Sequence, residues 1–421
     1  MVGLSNIRRV LNNNGVLISN FSYLSLLQVV NLLIPLVTYP YLIRVLGSEL
    51  YGLVVFTQVI SGYFTVFISF GFSTIGTKDV SLYRLDTRKT SEIVSNITAI
   101  KMLFLFVSFV VLLSYLVLMD VNHKWLYVFS FWVCILDVVF PVWFFQGIEK
   151  MKYVTLTSLF TRGIFVCMIF FLIKTREDVL WLPISNLIGS LLSGLISYHF
   201  MKKEGISFVR PSYSTCRYYL RESYHLFLSN VLIQFYANSN RTIVGIFLGM
   251  RMLAYYDLAD KIVGLIRIPH SILSQTVFPR ISSQRNIDFI KKIFKISLLF
   301  NIVLYFLLFF SAEYVVLLLG GKEMLYTVTI IKILGLLAPI VGMNNVLSFL
   351  TLIPFGHKIL FFRLVSISLV VYLVFLGGIW SLDMISLYTL SIVTVLVEVF
   401  VTIVAFYYVY KNVIWKENMI I

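Results

Sequence analysis

Apolar residues in this chain come in long unbroken runs of about 20, separated by short polar breaks, from one end to the other. A run of that length spans a hydrocarbon core of about 30 Å as a helix. The pattern predicts twelve helices, near 17–43, 49–74, 93–119, 123–147, 152–173, 179–200, 219–248, 252–279, 290–312, 324–354, 357–379 and 385–410. The expected fold is therefore all-α: a polytopic membrane protein with twelve transmembrane helices in two six-helix lobes, 1–205 and 206–421, around a central cavity.

Composition agrees. The 421 residues are 59% hydrophobic and 13% charged, against about 25% charged in soluble domains, so no soluble domain fits. The net charge of +15 is spread over short loops, which suits a topogenic signal better than nucleic-acid binding. Counted by side, one side of the predicted topology carries 22 Lys and Arg and the other 6, namely Arg44, Lys124, Lys174, Arg176, Arg251 and Lys322. Cytoplasmic loops carry the excess, so both termini are expected in the cytoplasm. Trp125, Trp181 and Trp380 fall at outer helix ends, and Trp143 and Trp415 near inner ones, the depth amphipathic rings prefer. Arg8 and Arg9 precede the first run as they would in a signal peptide. That run is too long for a signal core and has no small-residue cleavage site, so it reads as an uncleaved first span.

One break is long. MKKEGISFVRPSYSTCRYYLRE (201–222) is basic, holds Gly205 and Pro211, and lies mid-chain, so it reads as a linker between halves, with room for a short helix on an anionic leaflet. Each half opens alike, with a Leu-Gly pair ending one helix and a tyrosine soon after: RVLGSELYGLVVFTQVI (44–60) against IFLGMRMLAYYDLADKIV (246–263). Six helices per half would relate the repeats by an axis along the membrane normal.

Polar residues are few and placed. Asn20, Gln28, Asn31, Pro35 and Thr38 in helix 1 fall within an arc of about 80°, as do Asn230, Gln234, Asn238 and Arg241 in helix 7. Amides facing lipid would lose their hydrogen bonds, so these stripes face either neighbouring helices, as interhelical bonds, or a water-filled cleft between the halves. Ionisable residues inside the spans are Lys101, Asp137, Arg162, Arg241, Asp257, Asp260, Lys261, Arg267, Lys332 and Glu398. Asp257 and Lys261 lie four apart, and Asp260 and Arg267 share a face two turns apart, so each pair can form an ion pair. Lys101 and Lys332 are placed to snorkel to opposite faces. A surplus of cations suits a ligand with concentrated negative charge, and a purely structural salt-bridge network is the competing reading. The prolines in or at the ends of spans bend helices without proving motion.

Several chemistries are excluded. There is no Gly-rich phosphate loop with Lys-Ser/Thr, no His-Glu-x-x-His, and the five histidines are scattered. Cys134, Cys167 and Cys216 show no metal or redox spacing and read as small apolar fillers.

Four segments carry a family resemblance: YPYLIRVLGSELYGLVVFTQVISGYFTVFISFGFSTIGTKDVS (39–81), FQGIEKMKYVTLTSLFTR (145–162), NRTIVGIFLG with LAYYDLADKI (240–262), and LSQTVFPRIS (273–282). Together they resemble the O-antigen (Wzx-type) flippases, in the polysaccharide transporter branch of the multidrug/oligosaccharidyl-lipid/polysaccharide exporter superfamily. The matches cover most of the first 282 residues; the last third is similar mainly in hydropathy. One departure stands out. Many members have an acidic residue before the Arg of helix 7, and this chain has Asn240, which argues against ion coupling there.

The resemblance implies a two-lobed transporter of the bacterial inner membrane that moves an undecaprenyl-pyrophosphate-linked oligosaccharide from inner to outer leaflet by alternating access. Arg241, Lys261 and Arg267 would supply positive potential for the pyrophosphate. Asn31, Gln28, Asn230, Gln234 and Asn238 would line the cleft, and Asp137, Asp257, Asp260 and Glu398 are the candidates for ion coupling. No cofactor and no metal are expected. The partners expected are the lipid-linked oligosaccharide, the lipid bilayer and other polysaccharide assembly proteins, with no nucleic acid. Two alternatives stand beside this reading: a cation-coupled small-molecule exporter of the same superfamily, and a membrane polysaccharide polymerase, which the short outer loops disfavour.

Overall fold

The computed structural model describes residues 15–119 and 121–411, and every regular element among them is helical. Arg8, Arg9, Trp415 and Lys416 lie outside the described residues. In chain order the α-helices are α1 (Gly15–Ser69), α2 (Phe72–Leu82), α3 (Thr87–Leu118), α4 (Lys124–Phe131), α5 (Ile135–Val139), α6 (Val142–Gly147), α7 (Met151–Leu172), α8 (Trp181–Lys203), α9 (Tyr213–Ile243), α10 (Met250–Gln284), α11 (Ile287–Leu319), α12 (Thr327–Leu334), α13 (Leu337–Leu347), α14 (Lys358–Ser381) and α15 (Leu387–Lys411).

Each of the twelve expected segments is helical, with local corrections. The first two are joined across Gly47 into α1. The second ends at Ser69 instead of 74, because Phe70 and Gly71 take positive φ and start a new helix, α2. The fourth is broken into α4, a 3-10 turn, α5 and α6, with Pro141 opening α6 where it has no N–H to lose. Among the described residues nine stretches are long and apolar enough to cross a membrane. One of these, Ser22–Ser69, contains the Gly47 break, and α9 and α10 are absent from the nine. The polar residues of α9 and α10 lower their apolarity, so apolarity alone does not establish twelve crossings.

The chain forms two compact units: Met1–Leu50 with Val54–Ser239, and Tyr51–Leu53 with Asn240–Ile421. The division by packing falls inside α9. The first unit packs α7 on α8, α2 on α6 and α5 on α8, around Phe72, Val94, Ile97, Phe144 and Phe145. Asp86 caps α3 by accepting from the Lys89 N–H at 3.0 Å. Lys101 does not snorkel as expected. It is 1% exposed and bonds the Asp137 carboxylate at 2.8 Å and its carbonyl at 3.0 Å. Asn20 of the helix 1 stripe binds the Glu149 carbonyl at 2.8 Å and accepts from the Met151 N–H at 3.1 Å, which makes it an interhelical bond. The expected short helix in the linker is absent. Residues 206–212 are non-helical, and Tyr213–Glu222 is the first part of α9.

The second unit packs α11 on α13, α13 on α15, α14 on α15 and α10 on α12, with Ile281, Ile290, Ile293, Val346 and Leu350 as one core cluster. Gly249 opens α10 with φ 90° and ψ 168°, and Gly47 in the first unit has φ 77° and ψ 166°. That region is open essentially to glycine alone. The two Leu-Gly pairs of the sequence repeat thus share one backbone conformation.

Gly52 belongs to the second unit, and a β-carbon there would lie 1.7 Å from the Met250 carbonyl oxygen. The obstacle is backbone, which cannot swing away. Gly52→Ala is expected to cut the yield of folded protein severely and to lower its melting temperature in detergent, measured by size-exclusion and thermal denaturation. Normal folding of the variant would show that this close approach is not required.

Candidate functional site

Five polar side chains converge at the start of α10. Asp257 is 2% exposed. Lys261, one helical turn on, contacts its Oδ2 at 2.6 Å, and the Tyr51 hydroxyl donates to the same oxygen at 3.0 Å while accepting from Lys261 Nζ at 3.1 Å. Arg241, near the end of α9, places Nε 3.3 Å from Asp257 Oδ1 and NH2 2.7 Å from Asp260 Oδ2. Two cations thus face two carboxylates, and the cluster is neutral. A buried carboxylate is tolerated on those terms, paired and hydrogen-bonded.

The expected pair between Asp260 and Arg267 does not form, because Asp260 is taken by Arg241. No ion pair or hydrogen bond reaches Arg267 among the described residues. It is half-buried and lines a cavity of about 440 Å³ with Gly264, His270, Ser274 and Asn345. Behind that wall His270 Nδ1 lies 2.9 Å from Ser297 Oγ and Nε2 lies 3.4 Å from Ser274 Oγ, while Ser274 donates to Asn345 Oδ1 at 2.8 Å. Asn301 donates to the Ser297 carbonyl at 2.7 Å, and its Oδ1 is buried without a partner. The cavity therefore offers one guanidinium and several groups that donate or accept, a fit for a phosphate-sized anion bearing hydroxyl neighbours.

Asn240 is the third feature. Its Nδ2 donates to Tyr256 Oη at 2.9 Å and to Thr394 Oγ1 at 2.7 Å, and its Oδ1 accepts from Tyr372 at 2.7 Å. These bonds tie the end of α9 to α10, α14 and α15. The amide donates from one end and accepts at the other, whereas an ionised acid would offer acceptors only. The substitution seen in the sequence is thus built into the packing as a neutral junction.

Known proteins fit this geometry. Residues 17–285 match the family of polysaccharide biosynthesis proteins. The chain belongs to that family. A curated protein of Escherichia coli (strain K12), named "Putative O-antigen transporter", is 27% identical over 281 residues, 66% of this chain and 68% of that protein. One of the same name from Shigella dysenteriae is 23% identical over 393 residues, 88% of this chain and 96% of that protein. Among solved structures, the lipid II flippase MurJ in an inward closed conformation superposes with a TM-score of 0.73 at 15% identity, over 92% of this chain and 87% of that one. An inward-facing multidrug transporter of the MATE family, in the MOP superfamily, gives 0.66 at 12% identity, over 93% and 100%. These similarities establish the transporter fold, and the polysaccharide biosynthesis protein is a multi-pass membrane protein.

The remaining site residues expected in this family member are scattered between structural and open roles. Gln28 and Asn230 are exposed, and Asn31, Gln234 and Asn238 are half-buried. Asn31 Oδ1 is buried without a partner, and Asn238 donates to the Gln234 carbonyl at 3.3 Å. Asp137 is held by Lys101, and Glu398 is half-buried on α15. Lys332 does not snorkel; its ammonium lies 4.7 Å from the Phe309 ring centre. Sequence reading missed Tyr51, His270, Ser274, Ser297, Asn301 and Asn345. A signal existed for two of them: Arg267, His270 and Ser274 fall at i, i+3 and i+7, one helical face. Tyr51 and the α11 and α13 residues are brought in by tertiary contact alone.

Replacing Lys261 by Met leaves Asp257 with Arg241 as the cation beside it and the Tyr51 hydroxyl. Breaking a buried pair from one side costs about 3–5 kcal/mol. Lys261→Met is expected to lower the melting temperature clearly, and Lys261→Met with Asp257→Asn to recover much of the loss. No recovery in the double variant, measured by thermal denaturation in detergent, would refute the pairing as the source of stability.

Proposed function

We propose that this protein is a flippase that carries an undecaprenyl-pyrophosphate-linked oligosaccharide, an O-antigen unit or a similar polysaccharide repeat, from the inner to the outer leaflet of a bacterial inner membrane. It works by alternating access, with both termini in the cytoplasm and beside other polysaccharide assembly proteins. The observation that carries this reading is Arg267, which has no ion pair among the described residues and lines a mainly apolar cavity beside His270, Ser274 and Asn345, on the same helix as a cluster whose cations are neutralised. A guanidinium kept inside a membrane helix without a carboxylate is costly, and a diphosphate repays that cost through paired, charge-assisted hydrogen bonds. The names of its relatives and the flippase fold support the same substrate class.

Within this reading Arg267 meets the pyrophosphate, and Arg241 and Lys261 contribute field while braced by Asp257 and Asp260. Gln28, Asn31, Asn230, Gln234 and Asn238 serve the sugar hydroxyls. Asp137, Asp257 and Asp260 would each have to leave an ion pair to take up a proton or cation, and Glu398 is the fourth coupling candidate. The likeness to a multidrug transporter favours one other reading, cation-coupled export of a small molecule. Deletion of the gene separates the two: loss of surface glycan supports the flippase, and drug sensitivity with intact glycan supports the exporter.

Arg267→Ala is expected to reduce surface polysaccharide about tenfold or more at normal protein level, as loss of hydrogen bonds to a charged group worth about 1.5–3 kcal/mol requires. Arg267→Lys should retain part of the activity. Full surface glycan in the Ala variant, read by gel staining of extracted polysaccharide, would take Arg267 out of the mechanism.

A further inference from the structure

The first unit holds a second, larger cavity of about 810 Å³, lined by none of the site residues described above. Its walls come from α3, α5 and α8, and residues of the linker close one side. Met102, Val139, Leu195, Tyr198, Phe208 and Pro211 are representative of the lining, which is almost wholly apolar. Ligand cavities run from about 300 to 1,000 Å³ with mainly apolar walls, so this one has the size and lining of a site.

The wall is preformed. Residues 206–212 lie strapped along α3 by three bonds to side chains of its first three turns. The Ser207 N–H donates to Ser91 Oγ at 3.1 Å, the Val209 N–H to Ser95 Oγ at 3.0 Å, and the Ser212 N–H to Asn96 Oδ1 at 2.8 Å. The Tyr198 and Phe208 rings stack with centres 6.1 Å apart and planes at 21°, which joins the strap to α8. Tyr198 and Phe208 are nonetheless about half exposed, and Leu195 is 67% exposed. In a membrane protein such a surface meets hydrocarbon.

Exposed cations flank the lining residues in the chain. Lys202 and Lys203 follow the lining residue Met201, and Arg210 sits between the lining residues Val209 and Pro211; all three are exposed. None of them makes an ion pair among the described residues. The nearest acid in sequence, Glu204, is committed to Lys150 at 2.5 Å and Tyr153 at 3.2 Å.

An apolar slot whose lining residues are flanked in the chain by three exposed cations matches a lipid with a negative head. We propose that this cavity binds one acyl chain of an anionic phospholipid, with the lipid phosphate held by Lys202, Lys203 and Arg210. A second copy of the chain would set basic segment against basic segment, and a neutral lipid would leave the cations unanswered. The site stands independently of the transported substrate. Its consequence is mechanical: the bound lipid holds the strap in place, and the strap runs directly into α9.

The test uses the full-length protein purified in detergent and native mass spectrometry, with phosphatidylglycerol and phosphatidylcholine of equal chain length. Wild type is expected to retain one phosphatidylglycerol with about tenfold preference over phosphatidylcholine, in keeping with the attraction of clustered Lys and Arg for anionic lipid. Ala99→Trp, which fills the cavity from α3, should lose that copy. The triple variant K202Q/K203Q/R210Q should accept either lipid without preference. Leu195→Trp, at an exposed position, serves as a second filling variant if Ala99→Trp does not fold. Equal retention of phosphatidylglycerol by wild type and a folded filling variant would overturn the proposal. So would an undiminished preference in the triple variant, or displacement of phosphatidylglycerol by an equimolar polyprenyl phosphate.

Discussion

The carboxylate of Asp257 is the constraint around which the second unit is arranged. Inside an apolar bundle a carboxylate has no water to hydrate it, and the desolvation cost must be met by partners at short range. Lys261 and Arg241 supply charge, and Tyr51 supplies a hydroxyl from a helix more than 200 positions earlier in the chain. Tyr51–Leu53 accordingly belongs to the second unit although its sequence neighbours belong to the first. The close approach at Gly52 and the glycine backbone at Gly47 and Gly249 are what let the segment reach that place.

Once that cluster is satisfied, the other charges sort themselves. Arg241 bridges two carboxylates, so neither is left for Arg267. Lys101 and Asp137 close a pair in the first unit. Asn240 provides a junction of three hydrogen bonds without any charge, which needs no counter-ion and adds none. Paired groups of this kind hold helices together. Arg267 has no ion pair among the described residues and lines a cavity instead.

Hydroxyls and amides do much of the remaining joining. Ser91, Ser95 and Asn96 hold the linker along α3, Asn20 and Thr155 link the first helix to the start of α7 and to its neighbourhood, and Ser297 and Asn301 back His270. Polar side chains in membrane helices form such bonds because lipid offers no alternative partner. The helix 1 stripe illustrates the mixture. Asn20 is consumed in packing, whereas Asn31 retains an unpartnered oxygen.

Helix content, the positions of the apolar segments, the repeat of Leu-Gly-Tyr openings and the family were all legible in the amino-acid order. Apolar run length and motif spacing are local properties, and the bilayer or the core acts on them directly. The pair Asp257–Lys261 was legible for the same reason, since i and i+4 share a helical face. Partner choice between helices was not. Asp260 is adjacent to two cations in pattern, and only the packing of α9 on α10 selects Arg241 over Arg267. Lys101 reads as a snorkelling residue until α5 places Asp137 beside it. Tyr51, His270 and Asn345 carry no local mark of their roles, because the partners each one bonds lie on other helices or are fixed by packing. The sequence determined what the chain is made of and where charge must be accommodated; the tertiary structure decided which charges cancel, because pairing needs an approach of a few ångströms that only helix packing sets.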